Sequence, residues 1–167
     1  MKPRYYVIYS LVIAIGIIID QITKLIAVKL LKPIDDIPIL DGIFHFNYHE
    51  NKGAAWGMFA EDRWVFLTIS TVAIIGIGLY LFFGKATSTL MGVSMALIVS
   101  GGIANMIDRL VLGYVVDFLY FKLINFPIFN VADSFVCVGA GLMILSLILE
   151  LIDESEKVKG AEDENDK

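Results

Sequence analysis

A chain of 167 residues that is 57% hydrophobic, with a mean hydropathy of +0.76, carries more apolar surface than a soluble domain of this length can cover. Its net charge of −5 resides at one end: from Glu150 onward eight acidic residues face three lysines, and the rest of the chain is neutral. No basic stripe suits nucleic acid, and the single cysteine, Cys137, excludes an intrachain disulfide and reads as an apolar packing residue.

The first apolar segment runs from Tyr5 to Val28 and is interrupted by the polar patch Asp20 to Lys24. Lys2 and Arg4 precede it as they would a cleaved signal, but the run meets Asp20 rather than a small-x-small cleavage site, so it reads as a retained span. In the connection that follows, about residues 29–63, Pro33, Pro38, Asp41-Gly42 and Gly53 punctuate the alternating stretch Ile43 to His49. Turn residues flanking a period-two run predict a small hairpin or sheet at the membrane surface. His45 and His49 would share a face of that strand. No Cys or third His accompanies them, and a surface strand accounts for them better than a metal site does.

The second span is Trp64 to Phe83, and a short connection around Gly84 to Thr89 leads to the third, Leu90 to Ile107. A second long connection, about residues 110–131, contains Phe118 to Pro127, too apolar for a solvent loop and suited to the interface or to the wall of a greasy pocket. The fourth span is Ala132 to Leu149. Each is close to the ~20 residues that cross a bilayer core as a helix. Tyr5, Tyr6, Tyr9, Trp64, Tyr80 and Tyr114 fall near segment ends, as in an aromatic belt. The expected fold is an all-α polytopic membrane protein of four transmembrane helices over residues 1–152, followed by a disordered acidic tail, 153–167. Charge does not orient it: with four spans, six Lys and Arg lie on one side and seven on the other.

The polar residues agree about sidedness. In an up-down-up-down bundle Asp20, Lys24, Asn51, Asn105, Asp108, Arg109, Asn130 and Asp133 all meet at the face that carries the two long connections. Carboxylates beside hydrocarbon are costly and mark chemistry or transport. Asp117 and Asp133 have the makings of a pair in which one ionised carboxylate deprotonates a water while its protonated neighbour supports a carbonyl. That chemistry needs no metal and no cofactor. The alternatives are that Asp133 caps the fourth span and Asp117 caps or salt-bridges a loop. A proton-coupled transporter would use the same carboxylates, but near span centres and with an internal repeat, which is not visible.

Five blocks, Asp20-Gln21-Ile22-Thr23-Lys24, Asn51 to Gly57, Asn105-Met106-Ile107-Asp108-Arg109, Val116-Asp117-Phe118 and Phe129 to Ser134, resemble in order those of the lipoprotein signal peptidases (signal peptidase II). One departure is Ala104, where that family usually has Gly. The resemblance implies a bacterial aspartic endopeptidase of the cytoplasmic membrane, acting without a metal; a monomer is expected. Its substrates would be diacylglyceryl-modified prolipoproteins, cut before the lipidated cysteine. It further implies a catalytic pair at Asp117 and Asp133, with Asp20, Asn51, Gly101, Asn105, Asp108, Arg109 and Asn130 around it. An extracytoplasmic sheet cradle around Ile34 to Tyr48, a flap around Asn51 to Asp62 and cytoplasmic termini complete the implied layout, with the active site near the outer face.

The residues allow matching roles. Asp20 and Lys24 can pair across one helical turn, as a structural ion pair or beside substrate. Arg109 and Asp108 suit a structural tie between loop and bundle. Asn51 and Asn130 can hold peptide backbone or orient an aspartate, and Gly101 and Gly102 permit close helix approach. Trp56, Met58 and Phe59 give the flap an apolar face toward membrane lipid or the substrate's acyl chains.

Overall fold

The first apolar run folds as one helix, α1 (Pro3–Leu30), unbroken at its polar patch. The structure, a computed structural model, describes residues 3–53, 63–84 and 88–165. α2 spans Arg63–Phe83, α3 Thr89–Val111 and α4 Val131–Asn165. α3 begins where the Ser88 side chain accepts the Met91 amide, a helix N-cap. Of the four expected spans, three are matched among the described residues by helical segments long and apolar enough to cross a bilayer, Tyr5–Leu30, Thr89–Val111 and Val131–Val158, and α2 contributes the shorter apolar stretch Thr68–Phe83.

α3 is the central helix. Of its apolar window 56% is buried inside the protein, against 22% for α1 and 11% for α4, so the outer helices turn residues such as Ile15, Leu25 and Ile148 outward. Close contact between α3 and α4 depends on glycine. A Cβ on Gly101 would stand 2.3 Å from the Ala132 carbonyl oxygen, and one on Gly139 2.7 Å from that of Ser94. Gly102 lies against α2 instead, its absent Cβ replaced by the side chain of Ile74.

At the end of the bundle away from the long connections, Leu81, Met91, Met95 and Ala96 form a core around Tyr9. Tyr9 is therefore no belt residue. It is 1% exposed and lies where a Cβ on Gly92 would stand.

The long connections supply a three-stranded antiparallel sheet, β1 (Asp36–Leu40), β2 (Phe44–Asn51) and β3 (Val115–Phe121), in that order. Gly42, at φ +69°, turns the β1–β2 hairpin. β3 was not expected as a strand. Four consecutive buried residues, Val115 to Phe118, hide the alternation that would reveal it. The register between β2 and β3 shifts between Phe46 and His49, a bulge that separates the two histidines. His45 is buried with Nδ1 2.9 Å from Asp36, whereas His49 is exposed. Ala27 and Leu31 of α1 pack with Val116 and Phe118, seating the sheet on the bundle.

α4 continues as helix to Asn165, where composition predicts disorder. Glu, Lys and Ala are good helix formers, and Lys157 pairs with Asp153 one turn earlier, which is enough to extend a helix already anchored in the bundle. That pair is solvent-exposed, and exposed ion pairs contribute little. Truncation after Asp153 is accordingly expected to leave the thermal midpoint in detergent unchanged within error.

Candidate active site

Asp117 is on β3 and Asp133 in the first turn of α4, and both line one cavity of about 1000 Å³. Its polar end is formed by Asn51, Gly53, Asn105 and Arg109, and its apolar flank by Ile74, Gly102, Val136 and Val138. Cys137 also lines it and is exposed, not packed in a core as expected.

The start of α4 explains how Asp133 is held. Asn130 precedes the helix, and its Oδ1 accepts the Asp133 backbone N–H at 2.9 Å. Asp133 Oδ2 accepts the Asn130 N–H in return, at 3.1 Å. This is a reciprocal capping box with Asp in the place of Glu. The remaining oxygen, Oδ1, accepts Asn105 Nδ2 at 2.7 Å. Asp133 thus caps the helix, as one sequence reading had it, and still faces the cavity.

Asp117 is 1% exposed. Its Oδ1 accepts Asn130 Nδ2 at 2.6 Å and its Oδ2 accepts Asn51 Nδ2 at 2.9 Å. Burial, followed by the nearby charge of Asp133, pushes its carboxyl up to about 7, against the pull of the two amides. Asn51 Oδ1 also accepts the Gly53 N–H at 3.0 Å, so the strand end and Asp117 are held by one side chain.

Beneath the pair is a buried charge cluster. Lys24 Nζ lies 2.9 Å from Asp20, 2.9 Å from Asp108 and 2.8 Å from Asn105 Oδ1. Asp20 also accepts the Ala132 N–H at 2.8 Å, and Asp108 the Val116 N–H at 3.2 Å, so each carboxylate ties a helix to the segment bearing one of the aspartates. Asp108 and Arg109 do not tie the loop as a pair, because adjacent helical residues face different ways. Arg109 instead donates to the Gly53 carbonyl at 3.2 Å and the Asn105 carbonyl at 3.3 Å. Gly101 acts through the α3–α4 contact and touches neither aspartate. Gln21, which bridges to Asp108 at 2.9 Å, was missed as a site residue although it stands inside the first block, since only the fold brings α1 and α3 together there.

Among the described residues no buried side-chain nitrogen or oxygen lacks a partner, and no three His, Cys, Asp or Glu converge as metal ligands would. Trp56, Met58 and Phe59 lie outside the described residues.

A family model described as signal peptidase (SPase) II matches residues 12–149. The chain is 41% identical over 151 residues to a lipoprotein signal peptidase of Clostridium tetani, covering 89% of this chain and 97% of the relative. It is 42% identical over 148 residues to that of Bacillus subtilis, covering 87% and 94%. A bacterial membrane enzyme solved by the in meso method superposes with a TM-score of 0.77 at 31% identity, over 86% of this chain and 88% of that one.

Proposed function

The chain belongs to the signal peptidase II family and is a peptidase of the membrane; on that premise we propose that it removes signal peptides from diacylglyceryl-modified prolipoproteins, with Asp117 and Asp133 as an aspartic dyad. α2 completes four spans, both termini are cytoplasmic and the dyad lies near the outer face.

One observation carries the mechanism: all four oxygens of the two carboxylates already accept an N–H from the protein. An amide N–H cannot accept a proton, so a protonated Asp117 has no internal acceptor in Asn51 or Asn130 and aims its O–H at the cavity. Asp133, at a helix N-terminus, suits the ionised role. A water between them loses a proton to Asp133 as it attacks the scissile carbonyl, whose oxygen takes the proton of Asp117. Collapse of the tetrahedral adduct returns that proton and breaks the C–N bond, and the departing amine takes the proton from Asp133. The apolar flank of the cavity suits a signal-peptide segment, and its lip at Phe126 and Phe129 suits acyl chains.

The test is cleavage by the purified protein of a lipobox peptide with and without diacylglycerol on its cysteine, in the presence of EDTA. Cutting of the lipidated peptide alone, before the cysteine, is expected. Equal rates on both peptides, or no cutting of either, would sink the assignment. The alkaline limb of kcat/KM is expected near pH 7, because above the raised Asp117 value both carboxylates ionise and the acid is lost. A profile flat from pH 6 to 9 would contradict the role given to Asp117.

A further inference from the structure

Lys24 is buried, 3% exposed, and its three contacts are the Asp20 and Asp108 carboxylates and Asn105 Oδ1, all within 2.9 Å. An ammonium has three protons and no lone pair, so each atom it faces must be an acceptor. The side of Asn105 toward Lys24 is therefore the carbonyl oxygen, and the amide cannot be turned over. Its N–H groups then have one direction left, and Nδ2 meets Asp133 Oδ1 at 2.7 Å. Asn130 is fixed in the same sense by the Asp133 backbone N–H, and its Nδ2 donates to Asn105 Oδ1 at 3.1 Å and to Asp117 Oδ1 at 2.6 Å.

We infer that Lys24 is a positioning residue for the dyad: acting through Asn105, it fixes which face of that amide meets Asp133 and so holds Asp133 as the ionised partner. Resting on the aspartic reading above, the inference deepens it by assigning the source of the asymmetry between two chemically identical groups. Lys24 touches neither the cavity nor the catalytic pair; its charge acts through space on both Asp117 and Asp133, but only Asp133 receives the Asn105 N–H that Lys24 orients. Without the cation, Asn105 Oδ1 keeps one donor, the Asn130 amide at 3.1 Å, and the amide is held on its other side by Asp133 itself. Two anions, Asp20 and Asp108, then face the dyad from α1 and α3 uncompensated. The other charged or titratable groups lining the cavity are Arg109 from α3, His49 and Lys52 from β2 and its end, Tyr120 from β3 and Cys137 from α4, and these remain unchanged.

The experiment uses the full chain in detergent and compares pH profiles of kcat/KM on the lipidated peptide. Lys24→Gln removes one charge from a buried cluster and is at risk of unfolding, so it is accompanied by three other variants. Lys24→Gln/Asp20→Asn removes one cation and one anion, keeping the cluster's net charge, and is compared with Asp20→Asn alone. Asn105→Ala keeps all three charges of the cluster and removes the amide that stands between Lys24 and Asp133. The acid limb is expected to move up by about one pH unit or more in the double variant and in Asn105→Ala, but not in Asp20→Asn. If the double variant merely melts earlier, with the limb of Asp20→Asn, or if Asn105→Ala keeps the wild-type limb, Lys24 is a structural ion pair and the inference is overturned. Should the wild-type protein cleave nothing, the functional reading alone fails. The relay is then read from the same variants by titrating 13C-labelled aspartate carboxyls by NMR, with the same shift or its absence deciding.

Discussion

Asp117→Asn and Asp133→Asn are each expected to abolish cleavage while leaving the protein folded. An amide can neither take a proton from water nor give one to a carbonyl, and removing one acid-base group costs about 10²–10⁴-fold. The two variants should differ in stability. Asp117 ionises near its ordinary 3.8 in the unfolded chain but only at about 7 in the fold. Between those values the folded state holds the extra proton, so stability is fully present below about pH 4 and declines as pH rises through about 7. Asp117→Asn has no charge to bury but keeps one oxygen for the two amides of Asn51 and Asn130, a loss of about 1 kcal/mol that offsets the gain, so its thermal midpoint at pH 8 should stay close to that of the wild type. Asp133→Asn keeps one oxygen to serve either the capping box or Asn105 but not both, and loses about 1 kcal/mol. Kinetics and thermal melts in detergent check both. More than about a tenth of wild-type activity in either variant contradicts the dyad, since that loss falls below the usual range for one acid-base group.

Gly101→Ala is the second large effect, at a residue that touches no reacting group. The added methyl would stand 2.3 Å from the Ala132 carbonyl oxygen, backbone inside α4, and 2.8 Å from Val136 Cγ2. Neither can move aside as a flexible side chain would, so α4 must shift away from α3. The 2.7 Å bond from Asn105 to Asp133 crosses that same contact and lengthens with it. Displacement of a catalytic group by about 1 Å costs on the order of 10²-fold. A fall of that order in kcat is expected, with helix content unchanged by circular dichroism. Full activity in Gly101→Ala would mean that the helices absorb the methyl without moving Asp133.

The chain's own order of residues determined the apolar segments and their ends. Long hydrophobic runs have one stable form in a bilayer, and α1, α3 and α4 begin or end within a few residues of where hydrophobicity changes. Sequence also drew the polar residues to one end of the bundle and, through its five blocks, singled out Asp117 and Asp133. It could not pair them. The two are sixteen positions apart on different elements and are bridged by Asn130, whose amide is turned by the helix start it caps. β3 stayed hidden because burial on both faces erased its alternation. The bulge that parts His45 from His49, the turn of Arg109 toward Gly53 and the bridge from Gln21 to Asp108 were likewise decided by tertiary contacts. Local pattern reports whether a side chain is buried or exposed. The partner it finds there is a matter of distance between segments remote in sequence, and only the packing of α1, α3, α4 and the sheet sets that distance.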